Sequence, residues 1–393
     1  MAPQVELSDP NQTIDLQQQV ARLQALLEAS RHVHSTISEE AVLESVLRIA
    51  VRELEMAGAA FPGTGLRYGL IDETNTANPH FPLHDRDSRA MTDLVVAPPE
   101  GRALTLYESD FLEGLALQAA VALENARNHK RNVEFARLQQ DLDAARNIQR
   151  SLLPQRLPSV PGYSLGFKSA TCYEVGGDYL DIVELSSGDI LLVVADVAGK
   201  GLASAIVSTA FRAAFRAAAG GGLSLAEVAT TMNQSHWEEG EETRRRYVTA
   251  IFARLDPHAG RLEVVNAGHN PGYVQRPDGT LHQFEAVGTP LGLLPGMSYI
   301  SERHDFPPGS RLLFYTDGLT EAFCGDEEFG SERLLSNFSQ YPSSKADDIL
   351  VALWTAIEDF CSGSPQADDM TALVLSRVES NPSGFNSTGE ALA

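Results

Sequence analysis

The chain has 393 residues, 43% hydrophobic and 21% charged, which is longer than one hydrophobic core usually organises and has the balance of a folded protein rather than a disordered one. Thirty basic against fifty-three acidic side chains leave a net charge of −23, which repels a phosphate backbone and argues against nucleic acid as a partner. Cys172, Cys324 and Cys361 form no CxxC pair, so a disulfide framework or thiolate zinc site is not expected, and the most apolar stretch, 190–194, is too short to span a bilayer, so a cytoplasmic protein without membrane contact is the expectation.

After a polar start, Leu16, Val20, Leu23 and Leu27 recur at helical spacing as a narrow apolar stripe; residues 1–25 are read as a flexible start with this helix. Ser38, followed by Glu39 and Glu40, predicts the start of a second helix that buries Val42, Leu43, Val46, Leu47 and Ala50. Short strands are predicted at 66–71, 94–96 and 103–107, separated by Asn, Asp, Pro and Gly. Asp110 with Glu113 is similar to a capping box, and no proline follows until Pro154. One helix over 111–153 is therefore predicted, roughly 65 Å long at about 1.5 Å per residue. Its later half aligns Phe135, Leu138, Leu142, Ala145, Ile148 and Leu152. Such a helix either packs on its own domain or forms a coiled-coil-like linker that pairs two chains. The narrow stripe on so long a rod favours the linker and a homodimer.

Beyond Pro154 the texture changes to strands, predicted at 163–169, 179–184, 190–196, 247–255, 262–267, 311–315 and 371–378. Helices are predicted near 203–218, 225–238, 331–338 and 346–360. Strands joined largely by turns, with helices in separate groups, predict an α+β protein of antiparallel sheets covered by helices. The run 238–246, with four glutamates and Arg244, Arg245 and Arg246, reads as a mobile surface loop, or as a docking site for an acidic phosphoprotein. The tail 379–393 is expected to be disordered.

Acidic residues stand where strands meet turns. Asp178 follows Gly176-Gly177, with Asp181 three residues on; Asp196 closes an apolar strand; Asp317 closes another and precedes Gly318; Asp368-Asp369 opens the last strand. A carboxylate dehydrated at such a place without a partner costs several kcal/mol. Each alone could cap a turn, but the shared position of all of them points to divalent cations, and oxygen ligands without thiolates favour Mg²⁺ or Mn²⁺.

These residues sit in ordered motifs: Glu174-Val-Gly-Gly-Asp178-Tyr-Leu-Asp181, Ala195-Asp196-Val-Ala-Gly-Lys-Gly201, Asn266-Ala-Gly-His-Asn-Pro271, Gly288-Thr-Pro-Leu-Gly292, Tyr315-Thr-Asp-Gly-Leu-Thr-Glu321 and Asp368-Asp-Met-Thr371. In that order, over 163–378, the chain resembles bacterial PPM-type (PP2C-like) serine/threonine phosphatases of the SpoIIE/RsbU branch. Residues 26–131 resemble a GAF sensory domain, through the first helices and the stretch 115–126. The resemblance implies an N-terminal α/β GAF-like domain (26–131), a helical linker (132–160) and an αββα phosphatase sandwich (161–378).

It further implies two Mn²⁺ or Mg²⁺ ions that activate water for attack on phosphoserine or phosphothreonine. Asp196 would bridge both ions and the carbonyl of Val197 would bind one. Asp178 would serve the first ion, and Asp317 and Asp368 the second, with Asp369 as the substitute for Asp368 if the register differs by one. The implied substrate is a phosphorylated STAS-type anti-sigma-factor antagonist. Animal-type relatives carry histidine where this chain has Ala198, so another group must protonate the leaving oxygen. His269 could do so, or hold a turn; Lys200 could meet phosphate, or be a solvated turn lysine. Gly199-Lys200-Gly201 is not a nucleotide loop, because neither Ser nor Thr follows the lysine. A catalytically silent signalling scaffold that binds a partner through the same fold is the alternative.

Overall fold

The computed structural model describes residues 38–341 and 345–378, with Gln24, Leu27, Ser30, Arg31 and Val33. The predicted stripe through Leu16, Val20 and Leu23 and the tail 379–393 lie outside the described residues. Two units divide the chain, Met1–Gln139 and Gln140–Ala393.

In the first unit, α1 (Glu39–Glu53) starts after Ser38 and buries the five apolar residues predicted from its spacing. Strands β1 (Gly58–Phe61), β2 (Leu66–Gly69), β3 (His80–His84) and β4 (Ala90–Ala97) form an antiparallel sheet in the order β2-β1-β4-β3. The start of α2 (Leu106–Leu152) joins α1 in a core with Val46, Leu47, Phe61, Leu83, Leu94, Phe111 and Leu115.

The strand predicted at 103–107 does not form. Thr105 and Glu108 make a reciprocal cap instead: Thr105 N–H donates to Glu108 Oε2 at 2.8 Å and Glu108 N–H to Thr105 Oγ1 at 3.2 Å. The Thr-x-x-Glu box thus starts α2 ahead of the predicted Asp110. Along α2, Phe135, Leu138 and Ile148 are each more than half exposed.

The second unit stacks four layers. Its strands are β5 (Tyr163–Ala170), β6 (Tyr179–Glu184), β7 (Ile190–Val197), β8 (Val248–Asp256), β9 (Arg261–Ala267), β10 (Gly272–Gln275), β11 (Leu281–Phe284), β12 (Glu302–Asp305), β13 (Arg311–Tyr315), a small hairpin of β14 (Phe323–Cys324) and β15 (Glu327–Glu328), and β16 (Met370–Arg377). One sheet runs β11-β10-β13-β16-β5, the other β12-β9-β8-β7-β6, all neighbours antiparallel. Between the sheets lie Leu180, Leu192, Val194, Ile251, Phe284, Phe306, Leu312, Phe314 and Leu373. The helices α3 (Leu202–Ala219) and α4 (Leu225–Glu238) cover the outer face of one sheet through Phe211, Phe215, Val228 and Met232. A single turn, α5 (Glu241–Arg244), follows. The helices α6 (Gly330–Gln340) and α7 (Ala346–Cys361) cover the other through Leu334, Phe338, Leu353 and Trp354.

Central strands covered on both faces need near-continuous apolar runs, and β7 meets this by burying Ile190 to Ala195 in succession. Each fully buried Leu or Phe contributes about 1.5–3 kcal/mol, so the strand ends are held rigidly where the layers open. The αββα sandwich expected for the C-terminal part is what forms.

Candidate metal centre

The acidic residues enter from different segments and meet at one end of the sandwich. Asp178 leaves the loop before β6, Asp196 is the next-to-last residue of β7, Asp317 begins a single 3₁₀ turn after β13, and Asp368 and Asp369 precede β16. Packing at the loop requires glycine: a Cβ on Gly177 would stand 3.0 Å from the Val197 carbonyl oxygen and 3.5 Å from Asp196 Oδ1, and one on Gly318 would collide with the Asp369 backbone.

Asp178 accepts a hydrogen bond from Thr316 Oγ1 at 2.8 Å, which ties the loop before β6 to the end of β13. Burial, then the neighbouring Asp196, holds the Asp178 carboxyl well above the usual carboxylate range. Burial, followed by Asp317, Asp368 and Asp369, pushes Asp196 up to about 7. Asp317 is raised by burial and then by Asp368. Among the described residues, Asp178, Asp196 and Asp317 have no Lys or Arg within ion-pair distance. Charges this close and partly dehydrated repel unless a cation stands among them.

Asp368 and Asp369 have different surroundings. The Asp369 carboxylate accepts backbone N–H bonds from Cys172 at 2.8 Å and Gly177 at 2.7 Å, so both oxygens hold the loop. Asp368 faces Lys200, whose Nζ lies 2.8 Å from Oδ2 and also donates to the Ala367 carbonyl at 2.9 Å. Lys200 is thus neither a free turn lysine nor open to a phosphate without giving up these partners. Asp181 is not in the cluster: it is fully buried and gripped by Arg216 at 2.7 and 2.8 Å, with Tyr179 donating at 2.6 Å.

His269 is buried between Thr249 Oγ1 (2.9 Å from Nδ1) and the Tyr315 carbonyl (3.1 Å from Nε2). A carbonyl only accepts, so Nε2 carries the proton and Nδ1 accepts from Thr249. Burial lowers its pKa to about 4, so the ring is neutral. Asn266 completes the turn: its Nδ2 donates to the carbonyls of His269, Asn270 and Phe284. Gly268 lies so close to Pro290 that a Cβ would collide with its ring. The motifs around 266–271 and 288–292 therefore brace each other and the end of β13.

The run 238–246 is not a plain loop. Arg244 lies over the Trp237 ring at 4.5 Å, Arg245 pairs with Glu241 and Glu242, and Arg246 Nη1 lies against Gly199, 2.7 Å from where a Cβ would be. The three arginines thus have three environments, and only Arg246 reaches the loop after Asp196. Sequence reasoning missed Gln149 and the role of Thr316, since each acts through a contact far along the chain, and it grouped Arg246 with Arg244 and Arg245 without separating it from them. Beside the acids, a cavity of about 430 Å³ is lined by Gly318, Phe323, Trp354, Gln366 and Met370, among others.

The donor set fits hard divalent ions. It offers only oxygens, several carboxylates that repel one another, and the Val197 carbonyl beside Asp196.

Residues 186–378 match the family model of Stage II sporulation protein E (SpoIIE). Protein IcfG of Synechocystis is 25% identical over 60% of this chain, and phosphoserine phosphatase RsbP of Bacillus subtilis is 25% identical over 58%. The chain spans 41% of the former and 56% of the latter. Among solved structures, the SiaA-PP2C domain of Pseudomonas aeruginosa superposes with a TM-score of 0.55 at 22% identity, covering 62% of this chain and 98% of that domain. The likeness to that domain shows the PP2C fold.

Proposed function

We propose that the C-terminal unit, which carries the match to the SpoIIE family model, is a PPM-type phosphatase, and that the whole chain is a metal-dependent protein serine/threonine phosphatase under the control of its N-terminal unit and helical linker. The observation that carries this reading is the convergence of Asp178, Asp196, Asp317 and Asp368, with raised carboxyl pKa values for the first three, none of which has a Lys or Arg within ion-pair distance among the described residues, while Lys200 pairs with Asp368. In the reading, Asp178, Asp196 with the Val197 carbonyl, Asp317 and Asp368 would hold two Mn²⁺ or Mg²⁺ ions. Asp369 keeps its carboxylate for the loop. Such ions, when bound, supply water activation and neutralise charge on a phosphoryl group.

The protein groups do the rest. Thr316 orients Asp178, and Gly176-Gly177 let the loop approach Asp196 closely. Arg246 offers a guanidinium beside Gly199 for the oxygens of a phosphoserine or phosphothreonine, where a charge-assisted bond is stronger than a neutral one. With His269 neutral and engaged on both ring nitrogens, the proton for the leaving oxygen comes from solvent at the open rim.

The substrate is proposed as a phosphorylated STAS-type anti-sigma-factor antagonist, by analogy with the family. The first unit is proposed as a GAF-like sensory domain, and the exposed Phe135, Leu138 and Ile148 as part of a coiled-coil seam between two copies. Phosphate release from a panel of phosphorylated STAS proteins tests the activity. Turnover with Mn²⁺ and none after chelation is expected; a protein that binds the same partners without turnover at any metal concentration is the signalling scaffold instead.

A further inference from the structure

A second cluster of metal-ligating side chains lies away from the acids, where β11 at the edge of one sheet meets β12 at the edge of the other. His282 and Phe284 share the inward face of β11, two residues apart, and Glu302 and His304 share one face of β12. Glu302 Oε1 lies 3.0 Å from His282 Nε2 and 2.6 Å from His304 Nε2, and all three ligand atoms lie within 4.8 Å of one another. Atoms bound tetrahedrally to zinc at about 2.0–2.1 Å would stand roughly 3.3 Å apart, so little movement would be needed.

Two further observations point to a ligand. His282 Nε2 is closed off from solvent and makes no hydrogen bond: Glu302 Oε1 is near enough but out of line. The rings of His282 and His304 lie 4.0 Å apart by centroid, each set edge-on to Phe284. Both Nε2 atoms face the one Glu302 oxygen, His304 Nε2 as a hydrogen-bond donor to it, and a cation bound there would take the place of that proton.

We propose that His282, Glu302 and His304 form a zinc site that staples the two sheets together at this edge, with solvent in the fourth position. Two imidazoles and one carboxylate suit zinc and not the hard ions suited to the all-oxygen cluster, so the two centres take different metals. Phe284, part of the core between the sheets, packs beside the rings, so the metal would close the edge of that core.

The test uses the full chain with the acidic centre filled by excess Mn²⁺. Zinc retained after gel filtration, and the thermal midpoint with and without zinc, are measured for the wild type, His282→Gln, Glu302→Gln and His304→Gln. Retention of zinc by the wild type, a rise in its midpoint, and about a 10-fold or greater loss of zinc affinity in the histidine variants are expected. Glu302→Gln alters only one half-exposed side chain and reports if a histidine variant does not fold. Failure of the wild type to retain zinc, or equal zinc affinity in all four proteins, would overturn the proposal. Cobalt in place of zinc should give the visible spectrum of a tetrahedral site, lost in His304→Gln.

Discussion

Gln149, in the last turn of α2, and Gly176, two residues before Asp178, exchange two hydrogen bonds. Gln149 Nε2 donates to the Gly176 carbonyl at 2.7 Å, and Gly176 N–H donates to Gln149 Oε1 at 3.1 Å. One turn earlier, Arg146 Nε donates to the Glu174 carbonyl at 2.7 Å. The loop before β6, which carries Asp178 and lies outside any helix or strand, is thus fastened to the end of the long helix. A shift of that helix end would displace Asp178, the kind of coupling proposed for the linker.

Replacing Gln149 by alanine should therefore loosen the metal centre without unfolding the unit. Losing two hydrogen bonds, about 1–2 kcal/mol together, corresponds to a rise of about 10-fold in the Mn²⁺ concentration for half-maximal activity. Activity at saturating metal should change little. A titration of phosphate release against Mn²⁺ checks this, and an unchanged half-saturation point would remove the coupling.

Asp196→Asn should lower activity by about 100-fold or more and yet stabilise the metal-free protein. The Asp196 carboxyl is held at about 7, far above its ordinary value of 3.8, so its charge at pH 8 destabilises the folded state. A neutral amide relieves this by on the order of 2 kcal/mol, seen as a thermal midpoint several degrees higher in EDTA. A lower midpoint would mean that the cluster is not under repulsion.

The metal response should depend on pH in the same window. A carboxyl whose folded pKa is raised loses stability as pH rises from 3.8 towards about 7, and metal must displace its proton below that point. The increase in thermal midpoint on adding Mn²⁺ should therefore be large at pH 8 and shrink steadily at pH 6. Differential scanning calorimetry at several pH values measures it; a response that is flat across this range would contradict the assignment.

His269 gives the opposite sign. Its pKa is lowered from 6.5 to about 4, so its contribution is complete above 6.5 and is lost as pH falls through that range. The full loss is about 3 kcal/mol. The stability advantage of the wild type over His269→Gln, measured by urea unfolding in EDTA, should narrow between pH 6.5 and 4. A constant difference would show that His269 is not the neutral, buried brace described.

Much of this was legible in the sequence, for a physical reason. Central strands such as β7 and β13 are covered on both faces, so they read as apolar runs, and their aspartates stand out where the runs end. Helices α3, α4 and α7 show their amphipathic spacing plainly. By contrast, β1 is Gly-Ala-Ala-Phe and β12 is Glu-Arg-His-Asp; neither has a strand's apolar alternation, and both form because neighbouring strands pair with them. The Thr105–Glu108 cap was hidden because the short apolar run around it also suits a strand. Motifs located the acids but not the contacts of Gln149, Thr316 and Arg246 around them, nor the pairing of His282 with Glu302 and His304, since these contacts join residues that only the folded chain brings together.

The most direct measurement is anomalous diffraction at the manganese edge from crystals grown with Mn²⁺. Two peaks about 3.5–4 Å apart, with Asp196 between them and Asp178, Asp317 and Asp368 around them, are the expected result. Crystals that bind manganese elsewhere, or that leave these carboxylates facing one another without metal at saturating Mn²⁺ and pH 8, would contradict the account.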